Sequence, residues 1–168
     1  MLLPMTTLLK KHWPSLLFFF ALIAIVQTIG NFVTMPNIQP WYNGLNHPFF
    51  RPPNWVFGPV WTILYFMLAY VGWRLWISFD GSVGRKLKQP VILFYFIQLL
   101  LNFLWSPLFF GFHFTGLALL DLVLIIVFTV FTMVQALSVD RMVTFLMIPY
   151  LLWLLFASSL NTAIVYLN

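Results

Sequence analysis

The sequence predicts an all-α polytopic membrane protein, a bundle of five transmembrane helices. Three observations point there. Of the 168 residues, 62% are hydrophobic and only 7% charged, whereas a soluble domain carries about 25% charged residues. Five apolar segments are each long enough to cross a hydrocarbon layer of about 30 Å at about 1.5 Å per residue. The few charges cluster at the ends of these segments.

The first span is expected over about residues 14–32, with Pro14 suited to a helix start. Lys10, Lys11 and His12 precede it in the manner of a secretory leader. The apolar run is about 20 residues long and has no small-residue cleavage site, so a retained span is expected. A second span covers about residues 55–79, with Pro59 tolerated in its opening turn. The third covers about residues 90–110 and the fourth about residues 115–137, joined by a tight hairpin between Gly111 and Gly116. The fifth covers about residues 142–166, after a Ser138-Val139-Asp140 turn in which Asp140 caps the helix. With no hydrophilic domain and no repeat, residues 1–168 read as a single transmembrane domain.

Five spans place the termini on opposite sides of the bilayer. Lys10, Lys11, Arg74, Arg85, Lys86, Lys88 and Arg141 then share one side, and Arg51 alone falls on the other. The positive-inside bias predicts a cytoplasmic N-terminus and an outside C-terminus, in a bacterium an inner-membrane protein. Trp13, Trp73 and Trp76 read as interfacial belt residues and Arg74 as a snorkelling anchor. The net charge of +5 is spread over segment ends, so no nucleic-acid surface is expected. Cysteine is absent, which removes disulfides and thiol chemistry. No spacing suggests a metal site, a nucleophile elbow or a phosphate-cradling loop.

The segment WYNGLNHPFFRPPNWVFGPVW, Trp41–Trp61, is dense in tryptophan and proline. Proline stiffens the chain and indole offers a broad apolar face with one donor. Between two spans, that combination suggests a shaped aromatic lid, the loop covering about residues 33–54. Within the spans, Gln98, Asn102 and Trp105 fall on one helical face, as do Tyr150, Trp153, Ala157 and Asn161. The second span contributes Trp61 and Tyr65, and the fourth holds Asp121. Polar groups at this depth must face the bundle interior. Two readings stand for them: interhelical hydrogen bonds that hold the helices together, or the wall of a ligand cavity. For Asp121 a proton-relay role is a third, although no second intramembrane carboxylate or histidine accompanies it. Trp61, Trp105 and Trp153 could likewise be core packing or a stacking surface for a planar ligand.

Taken together, WYNGLNHPFFRPPNWVFGPVWTILY, QLLLNFLWSPLFFG, ALLDLVLI and PYLLWLLFASSLN resemble the TspO/MBR family, tryptophan-rich sensory proteins and translocator proteins (peripheral benzodiazepine receptors). The resemblance implies a five-helix bundle, commonly a homodimer, with a cavity roofed by the first loop. It implies porphyrin ligands such as protoporphyrin IX, and in animal members cholesterol and synthetic drugs. Carried over to this chain, Trp41 and Tyr42 would lie in the closing loop, Pro52 and Pro53 would shape it, and Trp55 would begin the second helix. Asn102 would sit on the cavity wall with Gln98 one turn away. Trp61 and Trp153 would match tryptophans implicated in light-dependent porphyrin degradation, the only catalytic role in view. Tyr65, Trp105, Asp121, Tyr150 and Ala157 complete the candidate ligand-contacting set. No obligatory cofactor is expected; the tetrapyrrole would be the ligand.

Two departures stand out. His47 replaces the lysine of the pattern WYxxLxKP, which would weaken contact with a ligand carboxylate. Tyr166 is followed only by Leu167 and Asn168, so the basic residue of the cholesterol-associated pattern is missing. Three functions fit the sequence: binding, sensing or transport of tetrapyrroles; photochemical degradation of protoporphyrin IX; and a scaffold whose tryptophans only pack. The lack of inverted repeats and of an ion-coupling site disfavours an ordinary secondary transporter.

Overall fold

The computed structural model describes residues 5–79, 85–86 and 89–168, with side chains from residue 11 onward. All regular structure among these residues is helical. Helix α1 is Met5–Asn37, α2 Asn54–Ser78, α3 Pro90–Ser106, α4 Thr115–Ala136 and α5 Arg141–Leu167. Short π-helical turns follow two of them: Pro107–Gly111 extends α3, and Ile38–Tyr42 follows α1 across a kink at Gln39, whose φ of −117° and ψ of 131° are not helical. Five helices are long and apolar enough to span a bilayer. Lys88 and the side chain of Lys10, part of the expected charge asymmetry, lie outside the described residues.

The helices close into a ring. Neighbours in the chain pack most extensively, α3 on α4, α4 on α5 and α1 on α2, while α2 meets α5 and α1 meets α3. The main core lies towards the end of the ring remote from the first loop, where Phe19, Leu68, Trp73, Ile92, Tyr95 and Met147 are almost wholly buried. Gly72 makes this closeness possible. A Cβ there would collide with the Phe19 ring and the Tyr95 hydroxyl, and that hydroxyl donates to the Leu68 carbonyl at 2.9 Å.

The first helix is longer at both ends than expected, and the loop correspondingly shorter. Pro14 lies inside α1 instead of starting it, and α1 runs on through Pro36 to Asn37. The polar Asn37 is accommodated within the longer helix: its amide donates to the Val33 carbonyl at 2.8 Å, one turn back. Expected over residues 33–54, the loop is confined to 45–53, and Trp41 and Tyr42 belong to a helical turn that runs on through Gly44.

Trp73 is a second correction. It is 0% exposed and its indole N–H donates to the His12 carbonyl at 3.3 Å, so it locks α2 to α1 and is no belt residue. Trp76 is half-buried under the Lys86 ammonium, 4.8 Å from its ring centre, while Trp13 is exposed at 57%. Arg74 does more than snorkel. Its Nε donates to Asp140 Oδ2 at 2.6 Å, and Asp140 Oδ1 accepts from the Met142 N–H at 3.1 Å. One carboxylate therefore caps α5 and ties it to α2, since the cap leaves its second oxygen free for the guanidinium.

Candidate functional site: an aromatic cavity beneath the first loop

The loop end of the ring does not pack shut. A cavity of about 500 Å³ opens there, lined by residues of all five helices and of the turn after α1. Its size falls within the range of about 300–1,000 Å³ usual for small-molecule sites. The reason is local. Where the opposite end fills its centre with Phe19 and Tyr95, this end has Gly30, Gly58 and Ala157 at the lining, and the aromatic rings stand around the space.

Trp61 and Tyr65 come from α2, one turn apart, with ring centres 5.3 Å apart and an interplanar angle of 30°. Trp153 of α5 meets Trp61 edge-on at 6.4 Å and Phe57 at 5.9 Å. Trp105 of α3 stacks on Phe109 at 5.0 Å and 16°. Trp61, Trp105, Trp153, Tyr65, Asn102 and Ala157 all border the cavity, as does Tyr42 from the turn.

The other expected site residues lie elsewhere. Gln98 and Tyr150 are fully buried and form a relay behind the wall. The Tyr65 hydroxyl donates to Asn102 Oδ1 at 2.8 Å, the Asn102 amide donates to the Tyr150 hydroxyl at 3.0 Å, and that hydroxyl donates to Gln98 Oε1 at 2.9 Å. Asn102 is held from both sides, which fixes its rotamer; Gln98 and Tyr150 position it. Asp121 is 6% exposed, off the lining, with Oδ2 unpartnered. Pro53 precedes the first turn of α2 and is not at the wall. Trp41 also stands outside it, stacked on His113 at 3.9 Å and 12° and edge-on to Phe109 and Phe110. His113 has φ of 59°, a left-handed conformation unusual for a residue with a side chain. This turns its ring towards Trp41 and Asn37, whose Oδ1 lies 3.4 Å from Nε2.

A polar face of α1 was missed. Gln27, Asn31 and Thr34 border the cavity, and the Gln27 amide donates to the Thr62 hydroxyl of α2 at 3.0 Å. Their spacing of four and three residues in an apolar span is the stripe that marks an interior face.

Three polar atoms at the lining lack partners. The indole nitrogens of Trp105 and Trp153 and Oδ1 of Asn161 are all buried without a hydrogen bond, while the Asn161 amide donates to the Thr115 carbonyl at 3.0 Å. An unmet buried donor or acceptor costs about 1–3 kcal/mol. All three atoms lie behind the accessible surface of the wall, which is otherwise mainly apolar and aromatic.

The first loop is fastened at several points. The Asn46 N–H donates to Asn168 Oδ1 at 2.9 Å, and the Asn168 amide donates back to the Asn46 carbonyl at 3.2 Å. Tyr42 is buried beneath the Arg51 guanidinium, 4.9 Å from its ring centre. The His47 ring lies 4.8 Å from that of Tyr42. Burial, and then the positive charge of Arg51, hold the His47 imidazole below the usual histidine range.

Fold and site together define a polytopic membrane protein with a cavity enclosed between the helices of a single chain. Comparison with known proteins narrows this. The pattern of the TspO/MBR family matches residues 18–167, and the chain belongs to that family. It is 42% identical over 139 residues to the tryptophan-rich protein TspO of Archaeoglobus fulgidus, covering 83% of this chain and 87% of the relative. The tryptophan-rich sensory protein of Cereibacter sphaeroides is 34% identical over 160 residues, 95% of each chain. The translocator protein of Sus scrofa is 37% identical over 141 residues, 82% of each. Membership of this family supports a sensor or translocator role in a membrane.

Proposed function

We propose that this protein is a membrane receptor, sensor or transporter that binds porphyrins, protoporphyrin IX among them, and similar planar apolar molecules. One observation carries the reading: a cavity of about 500 Å³ walled by Trp61, Tyr65, Trp105 and Trp153, with unpartnered indole N–H groups at Trp105 and Trp153. A flat conjugated ring stacks on such faces. The names of the relatives, tryptophan-rich sensory protein and translocator protein, agree with a role in sensing or moving a small molecule. The charge asymmetry adds an orientation: N-terminus in the cytoplasm of a bacterial cell, first loop and C-terminus outside the inner membrane. From the family resemblance comes a homodimer, which crosslinking in native membranes tests.

A second reading, light- and oxygen-dependent degradation of bound protoporphyrin IX, is favoured by the Trp61–Trp153 contact at 6.4 Å. Both indoles border the cavity, where an excited porphyrin or the reactive oxygen it forms would meet an oxidisable partner. Protein in lipid nanodiscs is titrated with protoporphyrin IX, following tryptophan quenching, and the complex is then illuminated in air. Saturable quenching with a stable porphyrin spectrum supports binding or transport, and loss of the porphyrin bands supports degradation. Absence of saturable quenching defeats both.

A further inference from the structure

We infer that Arg51, with Asn54 beside it, forms a carboxylate-recognition site at the rim of the cavity, so that an acidic planar ligand binds with its carboxylate edge towards the first loop. This rests on the porphyrin reading of the cavity and adds which edge of the guest is held, and by what.

The geometry begins with Asn54, the first residue of α2, which borders the cavity. Its Oδ1 accepts from Arg51 Nη2, and its amide donates to Asn43 Oδ1 at 3.2 Å. These two contacts hold the guanidinium against the rim. The ring of Tyr42, another lining residue, lies under the same guanidinium at 4.9 Å. Arg51 is therefore pinned over one lining residue and bonded to a second.

What it lacks is an anion. Among the described residues Arg51 has no carboxylate partner: Arg74 takes Asp140, and Asp121 lies buried on α4. Arg51 Nε is buried with no hydrogen-bond partner. A guanidinium presents five N–H donors in a planar fork shaped for carboxylates, and here one of them is both shielded from water and unmet. The nearby His47 supplies no competing charge at neutral pH, since burial and Arg51 itself keep it below the usual histidine range. The positive end of the α2 dipole adds to the field at the same place.

The rest of the cavity matches this polarity. Deeper in, the lining is Trp61, Trp153, Leu122 and Ile125, with no charged side chain. An amphipathic plate with acid groups along one edge is thereby oriented, apolar edge inward and acid edge at the rim.

The test uses the full chain in lipid nanodiscs and two probes, protoporphyrin IX and its dimethyl ester, titrated by tryptophan quenching. The diacid should bind roughly three- to ten-fold more tightly than the ester, the range expected for a charge-assisted contact at a partly exposed site. Arg51→Gln should remove that preference by weakening the diacid far more than the ester, with thermal unfolding in nanodiscs showing that the variant is folded. Arg51→Lys should restore part of it, since the charge returns without the fork. Because the two probes partition differently into the bilayer, each affinity is corrected with the probe's partitioning into protein-free nanodiscs. Equal affinity of diacid and ester for the unaltered protein, or a preference that survives Arg51→Gln, overturns the carboxylate site and leaves the porphyrin reading standing. No saturable binding of either probe overturns that reading and the rim site with it.

Discussion

At the scale of single residues, the site divides into groups that border the cavity and groups that hold them in place. Trp61 and Trp153 belong to the first. If their indoles are the oxidisable partners, Trp61→Phe or Trp153→Phe should abolish light-driven porphyrin loss while keeping most of the binding, because phenylalanine preserves a stacking face. Unchanged loss rates in both variants would reject that role. Asn102 is clamped between Tyr65 and Tyr150, so Tyr65→Phe deprives its oxygen of a donor; we predict a stability loss of about 1 kcal/mol, measured by thermal unfolding in detergent. His47 carries a pH dependence. Its neutral form is favoured in the closed loop, so an open loop binds more protons just below the ordinary histidine value of about 6.5. Loop closure is then fully stabilised above that value and weakens as pH falls through the lowered one. Ligand dissociation should accelerate on acidification from neutrality, and His47→Gln should flatten the profile in stopped-flow release.

At the scale of elements, the helices were legible because apolar length is a coarse, strong signal, and their ends were not. Polar and proline residues at positions 34, 36 and 37 look like a terminus in the sequence. In the bundle the Asn37 side chain bonds back to Val33, and the chain leaves the helix only at Gln39, whose φ of −117° and ψ of 131° are extended. Trp73 misled for a related reason. A tryptophan near a span's end has the same one-dimensional signature whether it faces lipid headgroups or a neighbouring helix, and only the His12 carbonyl opposite decides. The Asp140 cap was readable from local chemistry; its pairing with Arg74, 66 residues away in the chain, was not. Asp140→Asn should destabilise the α2–α5 contact more than Arg74→Lys does, because it weakens cap and ion pair together; unfolding in detergent compares the two. The clasp between Asn46 and Asn168 ties the first loop to the end of α5. Asn168→Ala should raise the ligand off-rate with little change in thermal stability.

At the scale of the whole molecule, the bundle is packed at one end and hollow at the other. Large rings meet around Gly72 in the packed half, and small residues such as Gly30 and Ala157 leave room in the hollow half. Gly72→Ala should therefore destabilise the fold by about 1–3 kcal/mol through overpacking and leave ligand affinity in the folded fraction alone. The aromatic faces of the hollow half could be read from periodicity, as could Asn102. Gln98 and Tyr150 share those faces but sit behind the wall, since a helical stripe gives direction and not depth. The α1 face of Gln27, Asn31 and Thr34 carried the same signal at lower amplitude. The central claim is that the hollow half holds one planar tetrapyrrole, and it is tested most directly by filling the space. Protoporphyrin IX titrated into Ala157→Phe protein in nanodiscs should show at least ten-fold weaker tryptophan quenching affinity than the unaltered protein (roughly a 1.4 kcal/mol loss), with unfolding temperature preserved. Equal affinity in the two proteins would contradict the cavity as the binding site.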